Sequence, residues 1–116
     1  MWQVELTECF LGWFSQQDKE MQLDMLAALT LLKQEGPHLG RPYADTLYGA
    51  RISNMKELRV QSNGRPVRAL FVFDPARKAI VLCAANKAGR NEKAFYRTMI
   101  KKAEREYEKH LERSGR

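Results

Sequence analysis

Two arginines, Arg59 and Arg68, flank an Asn63-Gly64 dipeptide, each within a run of β-forming residues. Asn-Gly between such runs is the strongest local signal for a two-residue hairpin turn. That turn pairs Leu58 with Ala69, Arg59 with Arg68 and Val60 with Val67. One face of the hairpin is then apolar and is continued by Phe71 and Phe73. On the other face Arg59 sits opposite Arg68, with Glu57 beside them. A slip of one residue would bury both arginines, so the hydrophobic pattern selects this register. A four-residue loop at Pro75–Lys78 extends the pairing to a third strand. It puts Ala85 across from Arg68, Lys87 two residues further on the same side, and Ile80, Leu82 and Ala84 on the apolar face. Lys56 falls on the core face, which predicts a bulge or a strand end there.

Opposed guanidinium groups on adjacent strands repel by a few tenths to ~1 kcal/mol, so an anion belongs between them. Glu57 would make a structural Arg-Glu-Arg cluster. An external phosphate, which a planar guanidinium binds bidentately, would make a site. Arg90 and Lys93 lie near the start of the last helix, where the helix terminus favours anions. Tyr96, one turn in, either stacks on a base or packs in the core, and Phe95 suits either role. Other chemistries fit poorly. His38 and His110 are far apart, no His/Cys/Asp cluster has metal spacing, no serine has a nearby histidine, and no phosphate loop or dinucleotide fingerprint is present. No metal and no cofactor are expected. Cys9 and Cys83 fit neither a CxxC nor a zinc pattern and read as two reduced thiols.

The elements that must hold these residues follow from pattern and caps. Trp2–Leu6 alternates as a short strand. Thr7 caps a short helix carrying Phe10, Leu11, Trp13 and Phe14, and Asp18 caps a second with Met21, Met25, Ala28 and Leu32 on one face. Gly36-Pro37 stops it. Residues 37–53 are rich in turn formers, among them Gly40, Pro42, Gly49 and Ser53, with an edge strand at Thr46–Tyr48. Strands at Met55–Gln61, Pro66–Phe73 and Ala79–Ala85 form a meander. The last is apolar throughout, as in a strand covered on both faces. Asn91 opens a final helix to about Arg113, lined by Tyr96, Ile100, Ala103, Tyr107 and Leu111. The order predicts an α+β fold with two N-terminal helices, an antiparallel sheet and a C-terminal helix, in one domain spanning 1–116.

The chain has 116 residues and a net charge of +6, unevenly spread. Residues 1–36 hold six acids and two bases, whereas residues 37–98 hold twelve bases and four acids. A basic segment on a folded scaffold attracts polyanions. The 44% hydrophobic content excludes a disordered tail. No apolar run is long enough for a bilayer, and the N-terminal residues predict no signal peptide, so a cytoplasmic protein without a membrane partner is expected.

Several stretches together resemble the RelE/ParE toxin superfamily, nearest its HigB-like, phage-derived branch. They are Leu39-Gly40-Arg41-Pro42, Asp45–Arg51, Lys56-Glu57-Leu58-Arg59-Val60, Arg68–Pro75, Lys87, Phe95-Tyr96 and His110-Leu111. The resemblance implies a RelE-like fold and the toxin of a type II toxin–antitoxin pair. Such a toxin is a metal-independent endoribonuclease that cuts mRNA, commonly on the ribosome, by attack of a ribose 2′-hydroxyl on the adjacent phosphate. The implied partners are mRNA, the ribosome and a cognate antitoxin of helix-turn-helix type. Arg59 and Arg68 would clamp the scissile phosphate, Lys87 would match a basic residue after the last strand, and Tyr96 an aromatic that orients a base. Glu57 stands where some ribosome-dependent members carry a lysine base, and either serves as base or holds the arginines. Arg51, Lys56, Arg90 and Lys93 are the further basic residues expected to hold RNA. The histidine that some HigB proteins place near the C-terminus has no counterpart, since His110 comes too late in the helix. The alternatives are a ParE-like gyrase poison on the same scaffold and a non-catalytic, phage-derived nucleic-acid-binding module.

Overall fold

The computed structural model describes residues 1–52 and 54–115, so Ser53, grouped above with the turn formers, lies outside it. The elements are β1 (Gln3–Leu6), α1 (Glu8–Ser15), α2 (Lys19–Glu35), β2 (Ala44–Thr46), β3 (Lys56–Ser62), β4 (Arg65–Asp74), β5 (Lys78–Asn86) and α3 (Glu92–Arg113). A 3₁₀ turn at Gly36–His38 follows α2 and adds a helical element where the sequence predicts only a stop. No helix among the described residues is long and apolar enough to cross a membrane.

The fold is α+β, but its sheet is mixed rather than antiparallel. The strand order is β1-β5-β4-β3-β2, and β1 runs parallel to β5. A parallel neighbour needs a crossover, and the chain between β1 and β5 includes α1 and α2. The edge strand β2 begins two residues earlier than the pattern suggested and shares only Thr46 with it.

The caps form as the sequence predicts. Thr7 Oγ1 accepts from Phe10 N at 3.2 Å and donates to Leu82 O at 2.7 Å, which ties α1 to β5. Asp18 accepts from Met21 N at 2.9 Å, and Asn91 caps α3 through Ala94 N at 3.0 Å. Asn63 and Gly64 both have positive φ, 50° and 77°, as a type I′ turn requires. Arg59 therefore pairs with Arg68, Leu58 with Ala69 and Val60 with Val67.

The β4–β5 connection differs. Asp74 pairs with Lys78, so the loop is three residues, not four, with Arg77 at φ 63°. A bulge then shifts the register between Leu70 and Phe71. The two deviations cancel at the far end, where Ala85 still faces Arg68. Between turn and bulge, however, the side chains alternate the other way. Ile80 and Leu82 leave the Phe71 face and pack with Leu70, Val72 and Cys83.

Both faces of the sheet are therefore covered. α1 and α2 bury Phe10, Met21, Met25 and Leu32 against Leu58, Val67, Phe71 and Val81. α3 buries Phe95, Met99 and Ala103, at i, i+4 and i+8, against Leu70, Val72, Ile80 and Leu82. The buried stripe of α3 is thus centred one residue before the expected line, and Tyr96, Ile100 and Tyr107 form its shoulder. α3 packs on β5 and β4, and its Tyr96 reaches Glu57 of β3.

Gly36 shows how tightly α2 is joined to the sheet. Its φ is +56°, and a methyl group there would overlap the Trp2 indole, which is itself held edge-on to Phe73 and beneath Arg77. Gly36→Ala is expected to destabilise the fold by about 2–4 kcal/mol, from left-handed strain plus overpacking. Gly12→Ala, in α1 with nothing near its would-be Cβ, should instead stabilise it by about 0.5–1 kcal/mol. Urea unfolding of the two variants checks the contrast.

Candidate active site

The hydrogen-bond phase of β3 places the two arginines. Arg59 N donates to Tyr43 O at 2.8 Å, away from β4. Arg59 and Arg68 are therefore a non-hydrogen-bonded pair, the kind in which facing side chains come closest. Pro66, which has no N–H to give, sits two positions away opposite Gln61 in the same phase. Glu57 is on the same face, and β2 places Asp45 directly opposite it.

Glu57 is the shared anion of this group. Tyr96 Oη donates to Glu57 Oε1 at 2.5 Å. Arg68 Nε lies 3.6 Å from the same oxygen, and Arg59 Nε lies 3.9 Å from Oε2. Both guanidinium contacts are ion pairs beyond hydrogen-bond range. Arg68 and Glu57 side chains are each 7% exposed, whereas Arg59 is 30% exposed. Arg68 Nη1 donates to Val67 O at 3.1 Å, and its buried Nε meets no hydrogen-bond acceptor among the described residues. Arg68 is thus a fixed cation with a spare donor, and Arg59 a looser one facing solvent. A cleft of about 240 Å³ lies against both, lined also by Pro42 and Gln61. That is several times the ~30 Å³ share of one water, enough for a phosphate group.

Tyr96 links this cluster to α3. Burial, then its hydrogen bond to Glu57, pushes the phenol up to about 12, although Arg68 pulls the other way. Near neutral pH it is a protonated donor, not a base. A phenol whose folded value lies above its unfolded value of about 10 favours the fold below pH 10, and that contribution is lost as pH rises from 10 towards 12. Stability measured between pH 9 and 12 should therefore fall less steeply in Tyr96→Phe than in the wild type.

Lys87 reaches the cluster through Tyr96. Its backbone N donates to Pro66 O at 2.9 Å, its Nζ lies 5.9 Å from the Tyr96 ring centroid, and it pairs with Glu92 Oε1 at 3.1 Å. Arg90 lies over the Phe95 ring at 5.4 Å, and Lys93 is exposed on the first turn of α3. Phe95 is 1% exposed and belongs to the core. The other two basic residues are not gathered here. Lys56, at the strand end its register implied, alternates to the opposite face from Glu57 and reaches Thr46 Oγ1 at 3.5 Å. Arg51 is held by Glu104, two turns along α3 from Tyr96, through its backbone N at 2.5 Å and its Nε at 3.5 Å.

Arg41 and Asp45 are neighbours that the sequence reading missed. They pair at 2.7 Å, and Arg41 holds the Asp45 carboxyl below its ordinary range with a smaller contribution from Arg59. Extending the strand pairing one strand beyond β3 would have found them. His110 occupies the other end of the sheet, with Nδ1 3.1 Å from Glu5 Oε2 beside Asp74. Asp74 is six residues from Arg68 along β4, about 20 Å at strand rise.

Opposed arginines over a phosphate-sized cleft, on an α+β sheet, narrow the field of relatives. A family model described as phage-derived protein Gp49-like matches residues 12–108. The chain belongs to the phage-derived Gp49-like family. This Gp49-like chain is 48% identical over 101 residues to a Mycobacterium tuberculosis protein named "Putative toxin HigB2", covering 86% of the chain and 50% of the relative. It is 41% identical over 99 residues to "Putative toxin HigB3" of the same organism, covering 85% of the chain and 84% of the relative. The Gp49-like chain thus spans half the length of the first of these relatives. No solved structure matches it.

Proposed function

We propose that this Gp49-like chain is the toxin of a type II toxin–antitoxin pair, folded RelE-like as one domain over residues 1–116, and that it cleaves mRNA without a metal, on the ribosome in the cytoplasm. One observation carries the nuclease reading: the Arg59–Arg68 pair lies against a phosphate-sized cleft lined also by Pro42 and Gln61. The names of the two relatives support the toxin reading.

In this reading the ribose 2′-hydroxyl gives its proton to water as its oxygen attacks the adjacent phosphorus, the bond to the 5′-oxygen breaks with that oxygen taking a proton from water, and a 2′,3′-cyclic phosphate and a 5′-hydroxyl result. Arg59 moves from its 3.9 Å contact with Glu57 onto a phosphate oxygen, and Arg68, fixed beside it, adds its positive charge from the cleft wall. Both oppose the charge that builds on the phosphorane. Lys87 adds positive charge beside Tyr96. Arg90 and Lys93 extend the basic surface for RNA along the start of α3. Glu57 is a positioning residue, since its Oε1 already accepts from Tyr96 and its carboxylate faces both arginines. The antitoxin, a helix-turn-helix protein, silences the site.

Induced expression of the wild type and of Arg68→Ala, followed by primer extension on abundant transcripts, tests this. Codon-phased cuts that vanish in the variant are the expected result. Arrested DNA supercoiling without RNA cuts would instead mark a gyrase poison. Growth unaffected by the wild type would mark a binding module whose arginines serve only Glu57.

A further inference from the structure

The two halves of α3 carry charge differently. From Glu106 onward acids and bases are interspersed, and Lys109 pairs with Glu106 at 3.2 Å. Between Glu92 and Glu106 the exposed side chains include five cations, Lys93, Arg97, Lys101, Lys102 and Arg105, and no acid. The one acid in that stretch, Glu104, is buried and held by Arg51. Among the described residues none of the five cations forms an ion pair. Lys93, Arg97, Lys101 and Arg105 stand at i, i+4, i+8 and i+12. They make one ridge about 18 Å long, with a cation every ~6 Å. Like charges four residues apart repel along a helix, so the row weakens the free protein and calls for an anion of matching repeat. The ridge starts near the cleft, since Lys93 is on the turn before Tyr96, the ring that Lys87 approaches.

We propose that this ridge of α3 docks the phosphate backbone of double-helical RNA, at a surface separate from the cleft. Three features select that occupant. A cation every ~6 Å follows the close phosphate spacing of an A-form strand better than the wider spacing of B-form DNA. Among the described residues of α3 no aromatic ring is exposed, because Phe95 is buried and Tyr96 and Tyr107 are half-buried. A single strand would therefore find no platform on which to stack its bases. The apolar side of the helix is already buried against the sheet through Phe95, Met99 and Ala103, and the exposed side presents Ala94 and Thr98 between its cations. Such a side has nothing to enter a lipid layer and no apolar centre for a protein interface. The contacts are to phosphates, so the docking carries no base preference. That the duplex is RNA rests on the nuclease reading as well, whereas the capture of a nucleic-acid backbone does not.

The test is binding of a 2′-O-methyl RNA duplex of about 16 base pairs, which cannot be cleaved, to the intact protein. Fluorescence anisotropy reads it between about 50 and 200 mM salt. One variant combines Arg97→Gln, Lys101→Gln and Arg105→Gln; relief of repulsion along α3 should leave it folded. A control removes as many charges elsewhere, through Lys19→Gln, Lys33→Gln and Arg113→Gln, all exposed. The ridge variant is expected to bind the duplex at least tenfold more weakly, with a salt slope shallower by about 2–3. The control and Arg59→Ala should stay within about threefold of the wild type. Equal losses in ridge variant and control would overturn the proposal, as would a loss in Arg59→Ala as large as in the ridge variant. So would a DNA duplex, a single-stranded RNA or a vesicle of anionic lipid bound as tightly as the RNA duplex. If the wild type makes no cuts in cells yet the duplex behaves as expected, the nuclease reading falls and the docking surface stands. Cuts in cells without duplex binding would leave the nuclease reading and end this one.

Discussion

Replacing Arg59 by alanine is expected to lower the rate of RNA cleavage by about 10²–10³ while moving the melting temperature by only a few degrees. The asymmetry follows from where this guanidinium sits. It is 30% exposed, and its ion pair with Glu57 is long, at 3.9 Å, so solvent already screens most of what it contributes to the folded state. Its worth lies in a charge that appears only as the phosphorane forms. Arg59→Lys should recover little, because a point charge lacks the two-pronged donor geometry. Rates from primer extension, set beside thermal melts of the purified variants, check both halves. A cleavage rate unchanged in Arg59→Ala would remove this residue from the site.

The second large effect is on stability and comes from Glu57. The carboxylate and the Arg68 guanidinium are both buried, and among the described residues Glu57 is the carboxylate that pairs with Arg68. Glu57→Ala removes the carboxylate that faces both opposed arginines and leaves a buried cation behind. Breaking a buried pair from one side costs about 3–5 kcal/mol, which lowers the melting temperature of a domain of this size by roughly 10–20 °C. Arg68→Ala should be destabilised similarly, in addition to losing cleavage. Glu57→Gln keeps an acceptor for Tyr96 and should lose less stability than Glu57→Ala. As a positioning residue it should keep cleavage within about tenfold of the wild type, and raised salt should depress it more steeply than the wild type. A loss of 10² or more in a stably folded Glu57→Gln would make Glu57 the base instead.

Much of the site was legible because its logic is local. Asn63-Gly64 fixes the turn, alternation fixes the register, and together they put Arg59 against Arg68 with Glu57 alongside. Helix starts were equally readable from Thr7, Asp18 and Asn91, whose side chains satisfy their own first turns. What escaped was non-local. The mixed sheet depends on β1 reaching β5 across two helices, and no pairing rule connects Gln3 to Lys78. The β4–β5 bulge is invisible in an apolar run such as Ala79–Ala85, where every residue suits either face. It offset the misjudged loop length, which is why Ala85 was correctly placed while Ile80 and Leu82 were not. The line of α3 was misread by one residue, since Phe95-Tyr96 and Met99-Ile100 offer two neighbouring apolar stripes. The half-buried stripe carries Tyr96 to Glu57, and the fully buried one holds the helix down. The reach of Arg51 and Lys56 was set by their positions on chain ends and faces, not by their charge.

The most direct measurement is side-chain ¹⁵N NMR of the arginine Nε–H groups during titration with a 2′-O-methyl RNA trinucleotide, which cannot be cleaved. The expected result is that Arg59 and Arg68 Nε–H resonances shift together and saturably, with slowed solvent exchange, while Arg51 stays unchanged. Saturable RNA binding that leaves both resonances where they were would contradict the claim that this arginine pair grips the phosphate.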